Sequence, residues 1–140
     1  MRTMNWTRIF FGACLAFVVF NALGAATWYL YLEKPWRAAL ESLGHPFQLT
    51  PAYATFWLVW SFGVCLASVW LYAVLRARMG PGPRTAAAAG FAYWIIGGLL
   101  PTLAWGSAGL FPVDLLVIDV ATYMGLLVAA TLAGAWLYKE

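Results

Sequence analysis

Four long apolar runs, at 9–32, 52–75, 85–105 and 115–138, alternate with short stretches rich in charge, glycine or proline. About 20 mainly apolar residues suffice to cross the hydrocarbon core as a helix, so each run is long enough to span. Inside a bilayer the backbone must satisfy its own hydrogen bonds, and a single apolar run does so only as a helix. The pattern therefore predicts an all-α membrane protein with four transmembrane helices in one domain, residues 1–140.

The connections decide how the spans are arranged. Residues 33–46 carry Pro35 in a position suited to a first helical turn, Leu40 and Leu43 on one side, and an Arg37/Glu41 pair at i,i+4. They read as a short helix lying on the periplasmic membrane surface, ended by Gly44 and Pro46. Residues 76–84 form a tight basic turn containing Gly80, Pro81, Gly82 and Pro83, and residues 106–112 a short uncharged one. Connections this short make neighbouring helices antiparallel and predict an up-down-up-down bundle.

Composition agrees: 64% of the residues are hydrophobic and 9% charged, far below the charge of an ordinary soluble domain. The net charge of +3 is not a nucleic-acid footprint, because the bases cap the apolar runs. Arg2, Arg8, Arg76, Arg78, Arg84 and Lys139 fall on one side of the spans, and only Lys34 and Arg37 on the other. The positive-inside rule then puts both termini in the cytoplasm of a bacterial inner membrane. Trp6, Trp70, Tyr72, Trp136 and Tyr138 would form an inner aromatic belt. Trp28, Tyr29, Tyr31, Trp36, Tyr53, Trp57 and Trp105 would form an outer one. The N-terminal pattern resembles a secretory signal, but its apolar run continues from Trp28 to Leu32, too long for a signal core, and predicts a retained span.

Small residues suggest how the helices pack. Ala121, Gly125, Ala129 and Ala133 recur every fourth position on the last span, and Ala86 with Gly90 begins a similar stripe on the third. Packing within the chain is the first reading of these stripes, and a homo-oligomer seam is the second. Cys14 and Cys65 lie inside spans and read as apolar packing residues. Pro101, after Gly97 and Gly98, is expected to kink or end the third span.

Polar groups inside spans carry the functional question, since ionisable ones are costly there and face the bundle interior or water. Asp119 is the clearest case, roughly 6 Å into the outer leaflet at ~1.5 Å per residue. Thr122 and Tyr123 share its face, and Thr27, Thr102 and the deeper Ser61 fall at comparable levels on the other spans. Together they define a candidate polar pocket open to the periplasm; the structural alternative is that Asp119 fixes helix register through hydroxyl hydrogen bonds. Asn21, near the middle of the first span, calls for an interhelical hydrogen bond or a ligand contact. Trp60, Tyr93 and Trp94 are too deep for the belts and either fill the core or hold an apolar ligand such as a lipid, quinone tail or pigment. His45 stands alone in the surface segment, and one imidazole makes no metal site.

The stretch from Leu71 to Ala86, then Gly90 to Trp94, the run Gly97-Gly98-Leu99-Leu100-Pro101 and the closing Gly134 to Glu140 resemble a group of small four-span bacterial inner-membrane proteins of unknown function. Met4 to Arg8 and Asn21 are similar to that group too, while residues 33–48 depart most from it. The resemblance implies span count and membrane class, and no activity.

Other four-span chemistries fit poorly. There are no cysteine pairs for disulfide generation, no embedded glutamate in the first span as in small multidrug exporters, no Arg and Glu within spans for glutathione chemistry and no histidines within spans for haem. A lipid-directed enzyme would need a nucleophile and base, and only Asp119 is at hand to serve Ser61, Thr102 or Tyr123. The reading is a non-enzymatic accessory subunit or small module binding an apolar ligand or lipid, with no cofactor. Its partners are membrane lipid, a second copy or a larger membrane complex. The competing class is a small oligomeric transporter or channel in which Asp119 takes a cation or proton.

Overall fold

The computed structural model describes residues 4–138 and contains four helices long and apolar enough to cross a membrane. Helix 1 is Trp6–Ser42, helix 2 Pro51–Met79, helix 3 Pro83–Ser107 and helix 4 Val113–Leu137. Their surface suits hydrocarbon rather than water. Leu30, Phe56 and Trp136 are 78%, 77% and 72% exposed, while much of the interior is alanine: Ala13, Ala16, Ala86, Ala89 and Ala130 are fully or almost fully buried. Lipid gives no hydrophobic drive between helices, so close backbone approach by small residues takes its place, and the large apolar groups are left to face the chains.

Local sequence sets the helix ends. Asn5 caps helix 1 by accepting from the Arg8 N–H at 3.1 Å, and Thr50 caps helix 2 by accepting from the Tyr53 N–H at 3.1 Å, with Pro51 at the first helical position. Helix 1 closes on Gly44 at φ +74°, where the His45 N–H reaches the Leu40 carbonyl and the Gly44 N–H that of Glu41, the paired bonds of a left-handed helix stop.

The segment expected as a separate surface helix is the end of helix 1. Residues Glu33–Ser42 follow the span through a π-helical turn, Trp28–Leu32, in which the Glu33 N–H bonds to the Trp28 carbonyl. A second π turn, Ile95–Leu99, precedes Pro101, and helix 3 runs on to Ser107 instead of ending there. Each wide turn lies just before a proline that lacks an N–H and whose ring crowds the preceding turn; loosening that turn lets the helix carry on. Arg37 pairs with Glu33 at 2.9 Å and not with Glu41, the better i,i+4 order of acid before base.

Helices 1 and 2, 2 and 3, 3 and 4, and 4 and 1 pack in a ring, and helix 2 also reaches helix 4 across it. The tightest contact is in the half nearest the termini. A Cβ on Gly12 would lie 2.7 Å from the Gly134 carbonyl oxygen, and one on Gly134 would lie 2.6 Å from that of Gly12. Gly90 likewise sits against helix 4 at Val128 and Thr131. Around these contacts Ile9, Phe20, Val69 and Leu127 fill a core that is 0–1% exposed.

Two expectations are corrected by this packing. The face of helix 4 turned inward is Leu127, Ala130, Thr131, Gly134 and Ala135; of the other stripe Ala121 and Gly125 are exposed, with nothing within 4 Å of a Cβ on Gly125, and Ala129 and Ala133 are half-buried. Tyr72 and Tyr138 are both 3% exposed and meet edge to face at 6.0 Å, so they belong to the core and not to a belt. Arg76 joins them by donating to the Tyr138 carbonyl at 3.1 Å. Of the bases counted for orientation, Arg2 and Lys139 lie outside the described residues.

Candidate functional site

In the half away from the termini, residues of all four helices line a half-open cleft of about 430 Å³. Trp36 of helix 1, Trp60 of helix 2, Trp105 of helix 3, Phe111 of the last connection, and Asp119 and Tyr123 of helix 4 supply most of its wall. Thr102 contributes a hydroxyl, and Gly97 and Gly98 open the space on helix 3. The volume is within the usual range for small-molecule sites, ~300–1,000 Å³.

Glycine at 98 is what lets the floor form. A Cβ there would lie 2.6 Å from the Tyr123 ring and 2.9 Å from that of Trp94, so only a glycine accepts Tyr123 lying over helix 3. Tyr123 also contacts Phe20 at 5.9 Å, edge to face, and Trp60 at 6.0 Å with the planes tilted by 30°. Its hydroxyl is buried and has no hydrogen-bond partner among the described residues. Such groups are rare in folded proteins.

Asp119 is half-buried on the wall, and its Oδ1 accepts from the Trp36 indole N–H at 3.0 Å. Trp36 in turn meets Phe111 edge to face at 5.2 Å, and Phe111 meets Trp105 at 6.5 Å. Among the described residues the one ion pair is Arg37 with Glu33, so no base neutralises Asp119. No Lys, Arg or His lines the cavity.

The remaining candidates divide by what they touch. Thr122 shares the Asp119 side of helix 4, but its Oγ1 lies 2.8 Å from the Tyr31 hydroxyl and forms a second tie to helix 1. Asn21 donates to Ser61 Oγ at 3.3 Å and to the Phe17 carbonyl at 3.0 Å, and accepts from the Trp57 indole at 3.1 Å. Its amide is thus held between helices 1 and 2, and Ser61, fully buried, belongs to that tie and not to the cavity wall. Thr27 turns its hydroxyl onto the Leu23 and Gly24 carbonyls of its own helix. Trp94 donates to the Val120 carbonyl at 2.9 Å, lies 5.3 Å from Phe91 with the ring planes tilted by 32°, and is not part of the cleft wall. Cys14 and Cys65 are free thiols.

The pocket is therefore more aromatic and less hydroxyl-lined than the sequence suggests. Trp36, Trp105 and Phe111 are the residues sequence reasoning missed. Trp36 and Trp105 look like belt residues, and only the continuation of helix 1 past its span brings Trp36 back over Asp119. Compared with models of protein families, with curated proteins and with solved structures, the chain has no significant match.

Proposed function

We propose that this chain is a non-enzymatic membrane module that binds a small apolar ligand or lipid in its aromatic cavity, with the cavity end on the periplasmic face of a bacterial inner membrane and the termini in the cytoplasm. The observation that carries the reading is the cavity itself: about 430 Å³ bounded by all four helices, with five aromatic side chains in its wall beside Asp119. Aromatic walls with few polar groups suit a ligand that is mainly apolar and is oriented by one contact. The six-to-two distribution of bases supports the orientation.

Transport of a cation through Asp119 is the second reading, favoured by the absence of a counter-charge among the described residues. The dense packing of Gly12 against Gly134 below the cavity supports binding over conduction. Native mass spectrometry of protein taken from membranes in mild detergent tests the proposal. A retained ligand at one per chain, lost when Thr102→Trp fills the cavity, is the expected result. A ligand-free protein, or retention unaffected by Thr102→Trp, contradicts it. Proteoliposome flux lost on Asp119→Asn would favour transport instead.

A further inference from the structure

We infer that the ligand of this cavity carries a positive charge: an organic ammonium group, held between the Asp119 carboxylate and the aromatic walls. The inference rests on the binding reading above and narrows the ligand's chemical class. A half-buried carboxylate beside apolar walls favours a counter-charge or strong donors. Here the protein supplies one neutral donor, the Trp36 indole at 3.0 Å, and no cation among the described residues. The rest of the wall is what a substituted ammonium prefers. Trp36, Trp60, Trp105, Phe111 and Tyr123 surround the space, and aromatic rings attract such cations while accepting their methyl or methylene groups as apolar contacts.

The absence of any Lys, Arg or His in the lining argues against a phosphate or carboxylate at the same spot, since nothing there would offset a second negative charge. An ammonium group can come from a free amine or from a lipid headgroup, where a phosphate lies close behind it. Both present the same chemistry to Asp119, and the experiment separates them.

Asp119→Asn is a clean test because the asparagine oxygen still accepts from Trp36 while the charge is gone. Binding to purified protein in dodecyl maltoside would be measured by tryptophan fluorescence for benzyltrimethylammonium and for neopentylbenzene, the neutral molecule of the same shape. The wild type is expected to bind the cation on the order of tenfold more tightly than the neutral probe. In Asp119→Asn the preference should shrink to the part the rings supply, with neopentylbenzene unchanged. Tighter binding of dihexanoyl phosphatidylcholine than of benzyltrimethylammonium assigns the ammonium to a lipid, and weaker binding assigns it to a free amine. Equal binding of cation and neutral probe by the wild type overturns the inference and leaves an apolar site, and this arm needs no variant. A preference undiminished in Asp119→Asn also overturns it. Failure of both probes to bind, with no native ligand retained, overturns the inference and the binding proposal together.

Discussion

The half of the bundle near the termini and the half away from them solve the same packing problem with opposite materials. Near the termini, Gly12 and Gly134 bring two backbones together so closely that neither has room for a methyl group, and alanines fill the surrounding layers. Away from the termini the neighbouring positions hold Trp36, Trp60, Trp105 and Tyr123, rings that line a half-open cleft. Small side chains allow dense contact in lipid, where dispersion is the main attraction. Large rings on short spacings hold helices apart and leave a cavity. The comparison teaches that small residues make one half dense while large rings leave a cleft in the other.

The largest effect should come from breaking the dense half. Gly134→Leu, forced against the Gly12 carbonyl and Val69, is expected to lower stability by about 3 kcal/mol or prevent folding. Gly125→Leu, on the open face of the same helix, should be within about 0.5 kcal/mol of wild type. Thermal or denaturant unfolding in detergent measures both, and equal losses would place the wrong face inward. Next in size is the tie between helices 1 and 2. Asn21→Leu removes the Trp57 and Ser61 bonds and should cost about 1 kcal/mol in the same assay.

Smaller effects sharpen the open half. Trp36→Phe keeps the ring and removes the donor to Asp119, for an expected loss of about 0.6 kcal/mol in unfolding together with weaker ligand binding. Tyr123→Phe should be neutral or stabilising by up to about 1 kcal/mol without ligand, because it removes a buried hydroxyl that has no hydrogen-bond partner among the described residues. A clear loss of stability on Tyr123→Phe would mean that the hydroxyl is bonded in the membrane.

The four spans were legible because length and apolarity alone demand them, and the turn at Gly80–Pro83 was legible because its residues forbid a helix. Which face of a span points inward was not. On helix 4 nearly every position is apolar or small, and lipid accepts leucine as readily as the core does, so Ala121/Gly125 and Ala130/Gly134 make equally regular stripes. The π turns before Pro35 and Pro101 escaped notice because proline is read as a stop, whereas a helix braced by its neighbours widens and continues. Asp119 stood out as the ionisable group within a span, but its partner Trp36 is 83 positions away and nothing local joins them.

The most direct test of a dense half beneath a binding half is an experimental structure of the protein extracted with its native lipids. The account predicts non-protein density in the cavity, in contact with Asp119 and the rings of Trp36 and Trp60, above a Gly12–Gly134 contact with no space for anything else. A structure in which Trp36, Trp60 and Tyr123 close onto one another and leave no volume would contradict it.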